Sequence, residues 1–119
     1  GCFDENLPAC EDYDLWLRVS CRLPVHLIAA PLIVKRGGHP DQLSRGWGLD
    51  RYRIASILKV LAGGVLSEDQ RRAAVRVLED KCAVVAGGCR KRGRLDEAAY
   101  YEGLKSEVGR GLASGPPFP

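Results

Sequence analysis

The chain has 119 residues, 45% of them hydrophobic and 28% charged, with a net charge of +3; this is the profile of a globular protein rather than a disordered one. No apolar run approaches the roughly 20 residues that a membrane-spanning helix needs, and no N-terminal stretch has the charged, apolar and small-residue order of a signal peptide. The mild positive charge does not by itself argue for nucleic acid, and the five cysteines (Cys2, Cys10, Cys21, Cys82, Cys89) form no C-x-x-C pair, which leaves neither a zinc framework nor a disulfide scaffold.

Free thiols in a reducing cytoplasm are the expectation. The sequence contains no Met, so a fragment or a processed product is expected. Charge is unevenly placed. Residues 1–17 hold five acids (Asp4, Glu5, Glu11, Asp12, Asp14) and neither Lys nor Arg, whereas "RKRGR" at 90–94 sets four cations in five positions. The two clusters are expected on different surfaces.

Residues 1–10 read as a loop punctuated by Asn6 and Pro8. A helix is predicted from Glu11 or Asp12 to about Arg22, with Leu15, Trp16, Val19 and Leu23 at near-helical spacing and Pro24 as the stop. The run "PVHLIAAPLIVKR" is rich in β-branched residues and broken by Pro31. It predicts two short strands or an edge strand, 25–29 and 32–36, since proline cannot donate within a central ladder. "GGHPDQLS" at 37–44 reads as a loop.

From Trp47 the pattern turns helical. Ile54, Ile57, Leu58 and Leu61 make one face, ended by Gly63 and Gly64. Ser67 and Gln70 form a capping box for a further helix, with Ala74, Leu78, Cys82, Val85 and Cys89 inward. Gly87 and Gly88 weaken that helix or let a neighbour approach closely. A last helix follows Gly93, with Tyr101, Leu104 and Val108 inward, and "GLASGPPFP" reads as a disordered tail. The "RKRGR" cations suit a helix C-terminus, which is a sufficient structural reason for them.

The stretch that bears chemistry is "EDYDLWLR", Glu11 to Arg18. On composition alone its acids are a helix cap, one of the commonest uses of Asp and Glu at a helix start. The functional reading is that one carboxylate caps while the other faces a cleft and takes a proton from a hydroxyl nucleophile.

"FDENLPACEDYDLWLRVS" followed by "PVHLIAAPLIVKRGGHPDQLS" resembles the C-terminal part of a bacterial family 2 glycosyltransferase, which has the GT-A fold. In that family an F-D-E segment precedes an E-D pair opening a helix of the form E-D-x-D-L-x-x-R. A strand ending in a basic residue and a loop with His and Ser follow, and these elements occur here in order across residues 3–44. The resemblance implies that Asp12 is the catalytic base and that Glu11 supports it by positioning the acceptor. It implies substrate-binding roles for Asp4, Glu5, Trp16, Arg36, Ser44 and Arg45, with Trp16 either core or a wall of the acceptor cleft and the last three near the donor diphosphate. His39 would help hold a divalent metal, Mn or Mg. A nucleotide-sugar donor, a hydroxyl acceptor and an upstream nucleotide-binding half would be the partners, with no nucleic acid and a cytoplasmic location.

Two departures stand out. The family's metal-binding D-x-D is missing, since "DYD" at 12–14 lacks the context after a strand. "QLSRGW" at 42–47 has one residue too many for the Q-x-x-R-W of processive sugar polymerases. The segment "AGGCRKRGRLDEAAYYEGL" resembles the turn and second helix of a tetratricopeptide unit, but no repeat of that length is visible.

The expected fold is thus an α/β fragment. The last elements of a GT-A, Rossmann-like catalytic domain would fill 1–45, a mostly α-helical extension 46–110 and a disordered tail 111–119. The expected function is part of an inverting glycosyltransferase, inactive as an isolated chain. The alternative is a non-catalytic, tetratricopeptide-like interaction module.

Overall fold

A computed structural model of the chain describes residues 2–38, 46 and 48–110. Four helices follow one another: α1 (Glu11–Ser20), α2 (Leu49–Ala62), α3 (Glu68–Lys91) and α4 (Leu95–Gly109). None of them is long and apolar enough to cross a membrane.

The boundaries follow local chemistry. Ser67 accepts from the Gln70 amide while the Gln70 side chain accepts from the Ser67 amide, so the predicted capping box closes the start of α3. At its other end the Gly93 amide donates to the Arg90 carbonyl and the Arg94 amide to the Cys89 carbonyl, each at 3.0 Å. Gly93 sits between them at φ 72. That is a Schellman closure, which needs a left-handed residue and so favours glycine. Only three residues separate α3 from α4, and the chain folds straight back as a helical hairpin.

The core lies where α2 crosses that hairpin. Ile54 and Ile57 of α2, Leu78, Cys82, Val85, Ala86 and Cys89 of α3, and Ala98, Tyr101 and Val108 of α4 form one buried cluster. Leu58, Leu61, Ala74 and Leu104 pack against it half-buried, so the apolar faces read from helical spacing are the faces that pack. A side chain such as Leu78, fully buried, is worth about 1.5–3 kcal/mol by transfer alone. Burial pushes the Cys82 thiol up to about 11, as suits a cysteine serving as a small hydrophobe. Gly87 and Gly88 do not interrupt α3, although each costs about 1 kcal/mol relative to alanine inside a helix.

Helix α1 rests on α2 by a face other than the expected one. Tyr13 and Leu17 pack toward the core and Asp14 is buried. Trp16 is 61% exposed and Leu23 also lies at the surface, which excludes a core role for Trp16. The inward stripe follows positions 13, 14 and 17, and Trp16 lies off it at helical pitch.

The expected α/β architecture is not found. Among the described residues there are four helices and no strand, so the GT-A, Rossmann-like fold class is overturned. Residues 24–38, which contain both predicted strands, carry no strand pairing and are exposed throughout. Leu27 is 93% and Val34 87% exposed. The reason is physical: β-branched residues favour strands by packing on pleated neighbours, and an extended segment without another strand beside it gains nothing from that preference. Loop residues 39–45 and tail residues 111–119 lie outside the described residues.

Candidate functional site

The acids at the N-terminal end separate into two groups. Asp14 is wholly buried. Its Oδ2 accepts from Arg18 Nε at 2.8 Å, one helical turn on. Lys59 Nζ of α2 lies 2.7 Å from Asp14 Oδ1, and because that oxygen has no well-directed hydrogen bond the contact is an ion pair. Lys59 also donates to Asp4 Oδ2 at 2.7 Å, and Arg18 Nη2 donates to the Cys2 carbonyl at 2.8 Å.

Asp4 Oδ1 meanwhile takes the Asn6 amide and side-chain nitrogen, both at 3.0 Å. The Lys59 bond, then the Asn6 donors, hold the Asp4 carboxyl down to about 2. Burial works against the Lys59 charge, but the Asp14 and Asp4 carboxylates beside it outweigh that and raise the ammonium. Loop, α1 and α2 are thereby fastened together by one charge cluster.

Glu11 and Asp12 belong to the other group. They stand in the first turn of α1, whose N-cap is Cys10 at φ 62 with no side-chain cap bond. Asp12 is exposed and accepts from the Tyr13 amide through Oδ1 at 2.7 Å. Neither Glu11 nor Asp12 makes an ion pair among the described residues. Cys10 Sγ approaches the Leu49 carbonyl at 3.7 Å, so the start of α1 adjoins the start of α2. Tyr13 is flanked by Arg53 and Lys81, each 5.9 Å from its ring centre.

The remaining sequence candidates are dispersed. Glu5 and Arg36 are exposed, and Trp16 stands off the packed face. His39, Ser44 and Arg45 fall outside the described residues. The carboxylates of "DYD" do not chelate together, because Asp14 is sealed in ion pairs and Asp12 faces solvent. No group of three or more potential ligand side chains that could hold a metal ion occurs among the described residues. The described residues alone do not supply a donor set for the metal that the family resemblance implies.

Sequence reasoning missed Lys59 as the hub of the acidic cluster. The Asp14–Arg18 pair has a local signal, the i,i+4 spacing. Lys59 has none, since it reaches Asp4 and Asp14 only through the packing of α1 on α2.

Comparison with protein-family models, curated proteins and solved structures finds no match to this chain.

Proposed function

We propose that this chain forms the acceptor side of an inverting glycosyltransferase in which Asp12 is the general base. The observation that carries the reading is the division among the acids of α1. Asp14 holds the fold, while Glu11 and Asp12 stand at the helix start with no ion-pair partner among the described residues. The order of residues from Phe3 to Arg36 supports it further.

Tyr13 N–H fixes Asp12 Oδ1, and Oδ2 is the oxygen that would meet an acceptor hydroxyl. The acceptor O–H gives its proton to Oδ2 as its oxygen attacks the anomeric carbon of the donor. The bond from that carbon to the nucleoside diphosphate breaks, and the electron pair leaves with the diphosphate. A single displacement inverts the configuration and needs one base. Glu11 orients the acceptor beside it. The donor nucleotide is assigned to parts of the protein other than the described residues, so the 119-residue chain alone is expected to be inactive. Five free thiols are consistent with a reducing compartment.

The test is transfer of labelled sugar from nucleotide-sugar donors by the whole enzyme that carries this chain. Asp12→Asn should lower turnover about 10²–10⁴-fold with donor binding retained. Turnover near that of the unaltered enzyme would refute the assignment.

A second reading, a non-catalytic docking module, is favoured by one observation, the exposed apolar side chains of residues 25–34. Absence of any sugar transfer by the whole protein, together with saturable binding of a protein partner that Leu27→Asp and Val34→Asp abolish, would decide for it.

A further inference from the structure

The outward face of α3 carries a pattern that the fold itself does not use. Ala73, Val77, Asp80, Val84, Gly87 and Lys91 follow one another at alternating spacings of four and three residues, so they lie in one stripe along the helix. The stripe runs on the side away from Leu78, Cys82, Val85 and Cys89, which enter the core. Val77 is 42% and Val84 64% exposed, and Ala73, Asp80 and Lys91 also lie at the surface. Heptad spacing of this kind is what two helices need in order to run side by side.

Two features of the stripe ask for a partner. Asp80 and Lys91 make no ion pair among the described residues. They are eleven residues apart, which sets them about 16 Å from each other along the helix, too far to pair within one chain. Gly87 weakens α3 with no close neighbour to justify it: a Cβ there would meet nothing within 4 Å among the described residues. Packing inside the chain does not account for this glycine.

We propose that this face joins a second copy of the chain, α3 against α3 and antiparallel, about a two-fold axis level with Val85 and Ala86. In that register Asp80 of each copy meets Lys91 of the other, and Val84 of each copy seats as a knob over the hole at Gly87 of the other. A two-fold contact has to be self-complementary, and the stripe meets that condition in both charge and shape. A parallel pairing instead sets Asp80 on Asp80 and Lys91 on Lys91, which like-charge repulsion opposes. The contact spans about three turns of each helix. That places it at the small end of specific interfaces, about 1200 Å² or less, so the dimer is weak and reversible. It does not depend on the sugar-transfer reading and stands or falls separately.

The test is sedimentation equilibrium of the full 119-residue chain under reducing conditions, from about 10 μM to about 1 mM, the range of a weak contact. A monomer–dimer equilibrium is expected, and it should weaken as salt rises. Asp80→Lys and Lys91→Asp should each weaken it about tenfold, since each sets like charges opposite one another twice. An equimolar mixture of the two variants should recover it, because every facing pair is then of opposite sign. Gly87→Leu fills the hole and should also remove the dimer. Leucine is the better helix former and its Cβ meets no neighbour, so the monomer stays folded, as far-UV circular dichroism would verify. Leu27→Asp, in the exposed run at 25–34, should leave the dimer unchanged. A chain that stays monomeric throughout, a mixture no more associated than its components, or a dimer lost in Leu27→Asp but kept in Asp80→Lys would overturn the proposal.

Discussion

Replacing Asp14 with alanine removes the centre of the charge cluster that fastens α1 to α2. The lost contacts are one directed bond from Arg18 and one ion pair with Lys59. A hydrogen bond to a charged group contributes about 1.5–3 kcal/mol, and breaking a fully buried pair costs about 3–5 kcal/mol. The carboxylate here is wholly buried, but the Arg18 and Lys59 side chains are 28% and 44% exposed. Both cations regain water once Asp14 is gone, and Lys59 keeps Asp4. The loss therefore falls at the lower end, about 2–3 kcal/mol, which lowers the melting temperature by about 10 °C or more in a domain of this size. Urea unfolding followed by far-UV circular dichroism measures it. A double-mutant cycle with Lys59→Ala should give a coupling of about 1 kcal/mol or more. Asp69→Ala is the comparison, since Asp69 is 88% exposed, and should cost less than about 0.5 kcal/mol. If Asp14→Ala were as mild as Asp69→Ala, the cluster would not hold α1 in place.

The Asp4 carboxyl, lowered from 3.8 to about 2, is a group with a depressed folded-state value. Its stabilising contribution is present above about pH 4 and lost as pH falls through about 2; acid unfolding of Asp4→Asn should show a shallower decline within that window. Gly93→Ala forces a Cβ into the left-handed closure between α3 and α4 and should cost about 1–2 kcal/mol, read as a lower urea midpoint. Leu78→Ala leaves a cavity in the centre of the core and should cost about 2–5 kcal/mol in the same assay. In native protein a thiol reagent should label exposed Cys2 first and leave buried Cys82 and Cys89 untouched; prompt labelling of Cys82 would contradict its burial.

The helical part of the fold is legible in the sequence because one physical cause dominates it. Ile54, Leu78, Cys82 and Tyr101 lie on faces set by helical pitch, and those faces meet. Ser67 and Gln70 fix a boundary through contacts three residues apart. Legibility ends where a contact comes from a distant element. Trp16 and Tyr13 both sit in plausible stripes of α1, and the choice between them depends on α2, which brings Lys59 against Asp14 and Arg53 beside Tyr13. Residues 25–36 depart from the strand expectation for a related reason: their β-branched side chains describe the neighbours they suit rather than a conformation they hold alone. At the site, the exposure of Asp12 and the burial of Asp14, two residues apart in α1, are likewise set by the packing of α2. In "RKRGR", Arg94 meets Glu97 at a local i,i+3 spacing, whereas the pairing of Arg90 with Glu102 depends on α4 folding back along α3.

The tight turn between α3 and α4 also bears on how the chain reaches this state. Contacts made across a three-residue connection are local, and local contacts close quickly, so a helical hairpin of this kind assembles early. The run from Val25 to Val34 gains no such protection from it and stays open to other chains. Aliphatic stretches of this type are the ones that nucleate intermolecular β-aggregation. Pro24 at its head, Pro31 at its centre, and Lys35 and Arg36 at its tail are gatekeeper residues: they interrupt hydrogen-bonded stacking and add repulsion between copies. Pro31, which breaks the run, thereby works against self-association.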